Sequence, residues 1–385
     1  MQDFSGKKIL LLDGLSSQCL EYAKAFNKLG CDTTVLCDSV FDTAYASRHP
    51  KHKILGICNV WDIAGTEQWI LKLVRSKQYD VIIPFTEYSA RILAHHKKEL
   101  NSCGHIVVNE QEVFDHAQDK NYVMRVCMEN NVPCPRTFFD INTKEKLLQN
   151  SLPFPIIFKP RRGFGAHGFS KIKDQSALLD YVSKHQVNYS DLVVQECLPV
   201  DSLIGSANLF IDKKGEIKSS FLYHSARIYP LDGGSGILNI TFNRADAQET
   251  CARLVKLLHL RGPVGIDFMI DPRDNKVKII EVNVRPLACA KVGFLAGVDV
   301  ARQILEDIYA PAVTPMMDYQ TDIRVRRSQM DWVWFLKSPL RFKAKPSWFD
   351  RKNTTDQLFS WSDPGPWLAF FVYGLKKIWR EKKRF

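Results

Sequence analysis

Three observations predict an α/β protein with α+β character in its central part. The first 115 or so residues alternate short apolar runs with helix-like stretches, the rhythm of an open parallel sheet. Beyond residue 150 the apolar runs follow one another closely, as paired hairpin strands do. Between Ile279 and Pro286 the chain reads Ile-Ile-Glu-Val-Asn-Val-Arg-Pro, so a strand there turns Glu281, Asn283 and Arg285 to one face.

The opening elements follow in order. Lys7 to Gly14 is an apolar run ending in Gly, Gln18 to Leu29 has helical character with a stop at Gly30, and Thr33 to Cys37 is a second run. The pattern repeats with a helix over Glu67 to Lys77 and a strand over Asp80 to Pro84, then a helix over Ser89 to Leu100 and a strand over His105 to Asn109. Pro84-Phe-Thr-Glu87 falls at the carboxyl end of a strand, where open α/β sheets place ligands, so Glu87 reads either as a substrate contact or as a helix N-terminal carboxylate. A helix from Lys120 to Glu129 and the Pro133-Cys-Pro135 break lead into the second grammar. There, Phe154 to Pro160 and Phe169 to Lys173 are strands around a glycine-rich loop, and a helix follows near Ser176 to His185. Further strands are expected at Leu192 to Glu196, Leu203 to Ile211 and Ile217 to Tyr223. A hairpin through Asp271 to Lys276 brings Asp267 beside Glu281, giving hard oxygen donors suited to Mg2+ next to an arginine suited to phosphate.

Composition narrows the classes. The 385 residues are 45% hydrophobic and 25% charged, which is ordinary globular usage and excludes disordered and collagen-like chains. No cationic leader precedes a long apolar stretch, and no window approaches about 18 uninterrupted apolar residues, so a cytoplasmic, non-spanning protein is expected. Ten scattered cysteines contain no Cys-x-x-Cys pair and read as reduced core residues. The net charge of +11 is concentrated after Val313, where fifteen Lys or Arg face seven Asp or Glu and six of the eight Trp lie.

Gly163-Phe-Gly165-Ala-His-Gly168 satisfies G-x-G-x-x-G, but it opens a strand, whereas the dinucleotide fingerprint must open a helix. No P-loop pattern is present. A glycine hairpin of this kind lays backbone N–H groups over nucleotide phosphates, and Lys159 on the incoming strand reaches the same place; a mobile surface hairpin is the competing reading. Gln195-Glu196-Cys197-Leu198 ends a strand and suits an adenosine contact, although a lone Glu at a strand end is usually solvated.

In this order, Asp119-Lys120, Lys159 before Gly163 to Gly168, Gln195-Glu196, Gly265-Ile-Asp267-Phe and Glu281-Val-Asn283-Val-Arg285-Pro resemble the ATP-grasp superfamily over about residues 5 to 312. The resemblance implies three parts: an open α/β domain at 1–115, an ATP-grasp domain at 116–312, and a basic, Trp-rich extension at 313–385. It implies ATP binding by Lys120, Lys159, Gly163, Gly165, Gly168, Glu196 and the backbone at Leu198. Asp267, Glu281 and Asn283 would hold Mg2+, two ions being expected with Mn2+ as a substitute, and Arg285 would contact the transferred phosphate. Asp267 departs from the longer Glu of many members. His224 to Gly236 is similar to a segment of the carboxylate-amine ligase branch, which assigns Arg227 to an acylphosphate or substrate carboxylate and brings Gly233 and Gly234 towards the reacting centre. The implied activity activates a carboxylate as an acylphosphate and couples it to an amine, with a small-molecule or sugar acid as substrate. Biotin-carboxylase-like activation of bicarbonate and a non-catalytic, membrane-anchored nucleotide-binding protein are the alternatives.

The tail from Trp367 to Phe385 places Leu368, Phe371, Val372, Leu375 and Trp379 at helical spacing among Lys376, Lys377, Arg380, Lys383 and Arg384. It suits peripheral contact with the inner face of a membrane as well as it suits docking on the ATP-grasp domain. With no RNA-binding signature, nucleic acid is not an expected partner. The sequence leaves the oligomeric state open.

Overall fold

The computed structural model describes residues 2–163, 168–231 and 233–382, with side chains described as far as Lys376. The chain opens with β1 (Lys8–Leu11), α1 (Ser17–Lys28), β2 (Asp32–Cys37), α2 (Thr43–Ala46), β3 (His52–Leu55), α3 (Ile63–Arg75), β4 (Val81–Ile83), α4 (Glu87–Leu100) and β5 (His105–Ile106). All five strands are parallel, in the order β3-β2-β1-β4-β5. Ile9 and Leu11 pack with Tyr22 and Phe26 of α1, while Leu10 packs with Ile70 and Leu93 on the other face. Burial on both faces is why these strands read as unbroken apolar runs. Gly30 ends α1 at φ +82°, a conformation that favours a residue without a Cβ.

Next come α5 (Gln111–Gln118), α6 (Lys120–Glu129), β6 (Thr137–Phe138), α7 (Lys144–Gln149), β7 (Ile156–Pro160), β8 (Ser170–Ile172), α8 (Gln175–Lys184) and β9 (Leu192–Glu196). Strands β6-β9-β7-β8 form a small antiparallel sheet covered by α7 and α8. A larger sheet is built from β10 (Leu203–Ile211), β11 (Ile217–Tyr229), β12 (Ser235–Phe242), α9 (Ala245–Leu257), β13 (Gly262–Asp271) and β14 (Lys276–Asn283). After α10 (Ala290–Leu295) and α11 (Val300–Tyr309), the segment expected as a separate extension supplies β15 (Arg324–Arg326), α12 (Ser328–Lys337), β16 (Thr354–Asp356) and α13 (Gly365–Lys382). The sheet order β14-β13-β10-β11-β12-β15-β16 shows that this segment completes the large sheet.

Helix α13 settles on the N-terminal domain, not on the ATP-grasp part. Ser47 donates to Asp363 at 2.6 Å, Gly365 lies so close to Ala46 that a Cβ would meet its carbonyl oxygen, and Lys376 sits 3.6 Å above the Phe41 ring. Leu368, Phe371 and Leu375 stay exposed. The side chains of Trp379 and Arg380, like Lys383 and Arg384, lie outside the described residues. Among the described residues no helix is long and apolar enough to cross a membrane. All ten thiols are free.

Candidate active site

The wall formed by Asp267, Glu281 and Asn283 depends on a bulge. Strands β13 and β14 pair Asp267 with Glu281 and Gly265 with Asn283, but Phe268 pairs with Ile279, so Ile280 is an extra residue. The bulge shifts the alternation. Val277 and Ile279 before it, and Val282 and Val284 after it, all enter the same core. Glu281 and Asn283 are thereby turned to the opposite face, which they share with Lys278.

On that face Asp267 accepts from Ser206 and, at 3.0 Å, from Asn283 Nδ2, which leaves Asn283 Oδ1 free to turn outward. Burial, with Glu281 adding to it, pushes the Asp267 carboxyl up to about 6. A cation between the two carboxylates would relieve that repulsion. Among the described residues no cluster of three or more His, Cys, Asp or Glu gathers to hold a metal. A divalent ion held here would have two carboxylates and one amide oxygen from Asp267, Glu281 and Asn283, a donor set that suits Mg2+.

Across from this wall stand the two lysines. Lys120 is the first residue of α6, held there by Asp119, which caps the helix and pairs with Arg161. Its ammonium reaches Glu281 at 2.9 Å and donates to the Gly163 carbonyl at 2.9 Å, tying the glycine hairpin to the carboxylate wall. Lys159 on β7 is 8% exposed. Desolvation lowers its ammonium to about 8, against the pull of Glu281 and with the push of Lys120. Gly168 closes the hairpin at φ +74° and lies against Pro160. Gly165 lies outside the described residues.

Arg285 follows the wall. Its guanidinium pairs with Glu87 and donates to the Pro286 carbonyl at 3.1 Å, while its buried Nε has no hydrogen-bond partner. Despite the cost of burial, Glu87 keeps the guanidinium above its ordinary range. Glu87 is thus the helix N-terminal carboxylate of α4, and it pairs with the Arg285 guanidinium. Its aim is set by Asp13, a residue the sequence reading did not single out. Asp13 lies buried at the end of β1 and accepts from the N–H groups of Phe85 at 2.8 Å and Thr86 at 3.0 Å. Its place at the carboxyl end of a central strand was the available signal.

Three of the expected site groups have protein partners or surroundings of their own. Both oxygens of Glu196 are engaged by protein: Oε1 accepts from the Arg136 N–H at 3.0 Å, and Oε2 pairs with Arg273 at 3.0 Å. The carboxylate thus joins the two sheets, and Leu198 is buried just beyond it. Arg227 does not join the carboxylate cluster. Its Nε and Nη2 pair with Asp331 of α12 at 2.8 and 3.1 Å and its Nη1 donates to the Pro346 carbonyl at 3.2 Å, so the guanidinium fastens the C-terminal segment. Gly233 and Gly234 belong to the turn from β11 into β12: nothing lies near Gly233, and a Cβ on Gly234 would strike the Tyr229 carbonyl.

Lys120 of α6 and Lys159 of β7 thus stand near the Glu281 carboxylate of the large sheet, a grouping of cations and carboxylates of the kind phosphoryl transfer uses. The model of the ATP-grasp domain matches residues 117–289 of the chain. ATP-grasp proteins bind ATP with Mg2+. Similar proteins include a D-aspartate ligase of Enterococcus faecium, 25% identical over 257 residues, which are 60% of this chain and 59% of the relative. A D-alanine–D-alanine ligase of Prochlorococcus marinus is 25% identical over 163 residues, covering 38% of this chain and 44% of its own. The chain thus spans about half the length of these curated relatives. Among solved structures, the biotin carboxylase domain of Hydrogenobacter thermophilus 2-oxoglutarate carboxylase, determined with MgADP, superposes with a TM-score of 0.67 at 16% identity. It covers 83% of this chain and 73% of that one, a likeness of fold.

Proposed function

We propose that this protein is an ATP-dependent ligase that joins a carboxylate to an amine. A substrate carboxylate oxygen attacks the γ-phosphorus, ADP leaves, the amine nitrogen attacks the resulting acylphosphate, and phosphate departs. The observation that carries the reading is the gathering of Lys120, Lys159, Asp267, Glu281, Asn283 and Arg285 on facing elements, a set that nucleotide binding alone does not require. Phosphoryl transfer needs positioning and charge neutralisation more than a protein nucleophile, so no Ser-His-Asp or Cys-His set is required.

In this reading Lys120 and Lys159 grip the phosphates, and the site keeps out water that would hydrolyse the acylphosphate. Asp267, Glu281 and Asn283 would hold two Mg2+ ions, with Mn2+ in their place, and bound there the ions neutralise polyphosphate charge. The orphan Nε of Arg285 is a donor kept for an incoming oxyanion. Leu198 would contact adenosine through its backbone. The domain limits at 115 and 312 describe the catalytic division of labour, with β15 and β16 of the last segment completing the sheet. The basic, Trp-rich last segment supports work at the inner face of a membrane, on a small-molecule or sugar acid.

Phosphate release measured across a panel of carboxylic acids, amino acids, uronic-acid sugars and bicarbonate tests this. Release that requires both an acid and an amine is expected; release with bicarbonate alone would move the protein to the carboxylating reading, and none with any pair would remove the ligase. Lys159 supplies a second check. It carries its proton below about pH 8 and loses it above, so ATP affinity should weaken about tenfold per pH unit beyond 8. Calorimetric titration from pH 7 to 10 reads this, Lys159→Arg should flatten it, and a flat wild-type profile would take Lys159 off the phosphates.

A further inference from the structure

Helix α12 is apolar on both sides. Trp334 is buried against Ile237, while Trp332 (54% exposed) and Leu336 (71%) face outward. The loop behind it adds Leu340, Phe342 (73%) and Phe349 (62%). These rings form one connected group: Phe335 packs edge-on against Phe342 and Phe349 at 5.5 and 5.8 Å, and Trp348 joins Trp332 at 4.6 Å. A soluble surface rarely displays so many large apolar side chains together.

The charge around the group has one sign. Residues 332 to 352 contain Lys337, Arg341, Lys343, Lys345, Arg351 and Lys352, all exposed, and a single acid, Asp350, which is tied to Arg324 at 2.6 Å. The Arg341 and Arg351 guanidinium groups lie over the Phe342 and Trp348 rings, at 5.4 and 5.1 Å. Tryptophan and phenylalanine at the apolar boundary, with lysine and arginine beside them, are what a headgroup region takes up. The basic collar selects anionic headgroups.

We propose that this face, formed by α12 and residues 338–352, docks the protein on an anionic lipid bilayer, with Trp332, Leu336, Leu340, Phe342 and Phe349 entering the headgroup boundary. The proposal deepens the membrane reading given above by assigning the contact to this face in place of α13, and it is independent of the ligase chemistry.

The test is flotation of the full chain with vesicles of equal parts phosphatidylglycerol and phosphatidylcholine, against phosphatidylcholine alone. Binding to the anionic vesicles only is expected, and Leu336→Glu with Phe342→Glu should reduce it at least roughly tenfold. Both side chains are largely exposed, so melting temperature and ATP turnover should be unchanged. Leu368→Glu with Phe371→Glu on α13 should float as the wild type does. The proposal is overturned if the wild type fails to float with anionic vesicles, if the α12 pair of changes leaves binding intact, or if only the α13 pair removes it. Self-association through this face, with the wild type sedimenting as a dimer that the α12 changes split and no vesicle binding, would equally overturn it. Failure of any kind here leaves phosphate release untouched, and failure of the acid and amine panel leaves flotation untouched.

Discussion

Glu281→Gln is expected to abolish ADP release, lowering turnover by about three orders of magnitude or more, while the protein still folds. The substitution keeps the size of the side chain and removes only its charge. In the folded protein that charge does two things: it stands opposite Asp267 on the paired strand, and it holds Lys120 at 2.9 Å. Gln supplies one weak oxygen where a divalent ion needs a carboxylate, and Lys120 loses the partner that keeps it beside the Gly163 carbonyl. The side chain is 29% exposed, so the fold loses little. Lys159→Ala should have the same outcome from the opposite side of the site. A coupled assay for ADP with a substrate pair found in the panel, run beside a thermal melt, checks both. Wild-type turnover in either variant would mean that the site has been assigned to the wrong residues.

Asp331→Ala is expected to cost about 3–5 kcal/mol of stability, the usual consequence of deleting one partner of a buried ion pair. Asp331 has no exposed side-chain surface and is shared by Arg227 and Arg326, each likewise buried. Burial pushes its carboxyl up, and Arg227 opposes the shift. Removing it strands two guanidinium groups among Trp334 and Trp348. Urea unfolding should show a lower midpoint, with the aromatic face of α12 as the part released. A midpoint within experimental error of the wild type would mean that Arg227 and Arg326 find other partners.

Legibility followed sequence distance and periodicity. Helix α6 and strands β9 and β10 were read with the bounds they have, because each is a clean periodic run between breakers. Strand β3 was not read: His-Lys-Ile-Leu is an edge strand with mostly exposed side chains and carries no apolar run. The pairing of Asp267 with Glu281 was legible because one short hairpin joins their strands. The bulge at Ile280 that makes Glu281 face the cleft was not, since strict alternation puts Ile279 and Glu281 on one side. Arg227 was misplaced for a different reason. Its partner lies 104 residues later on a helix, and an arginine near glycines gives no sign of which carboxylate it will meet. Lys120 and Glu281, 161 positions apart, were joined only by resemblance to a family, and the geometry brings them to 2.9 Å.

The seat of α13 on the N-terminal domain has a consequence for how the protein is made. Residues 41–49 meet residues 363–376 across more than 300 positions of chain. A chain growing from its N-terminus finishes its first sheet early, since every strand in it is local, yet α2 waits uncovered until α13, more than 300 positions later, has left the ribosome. A helix made more than 300 residues later is therefore the one that seals the first domain.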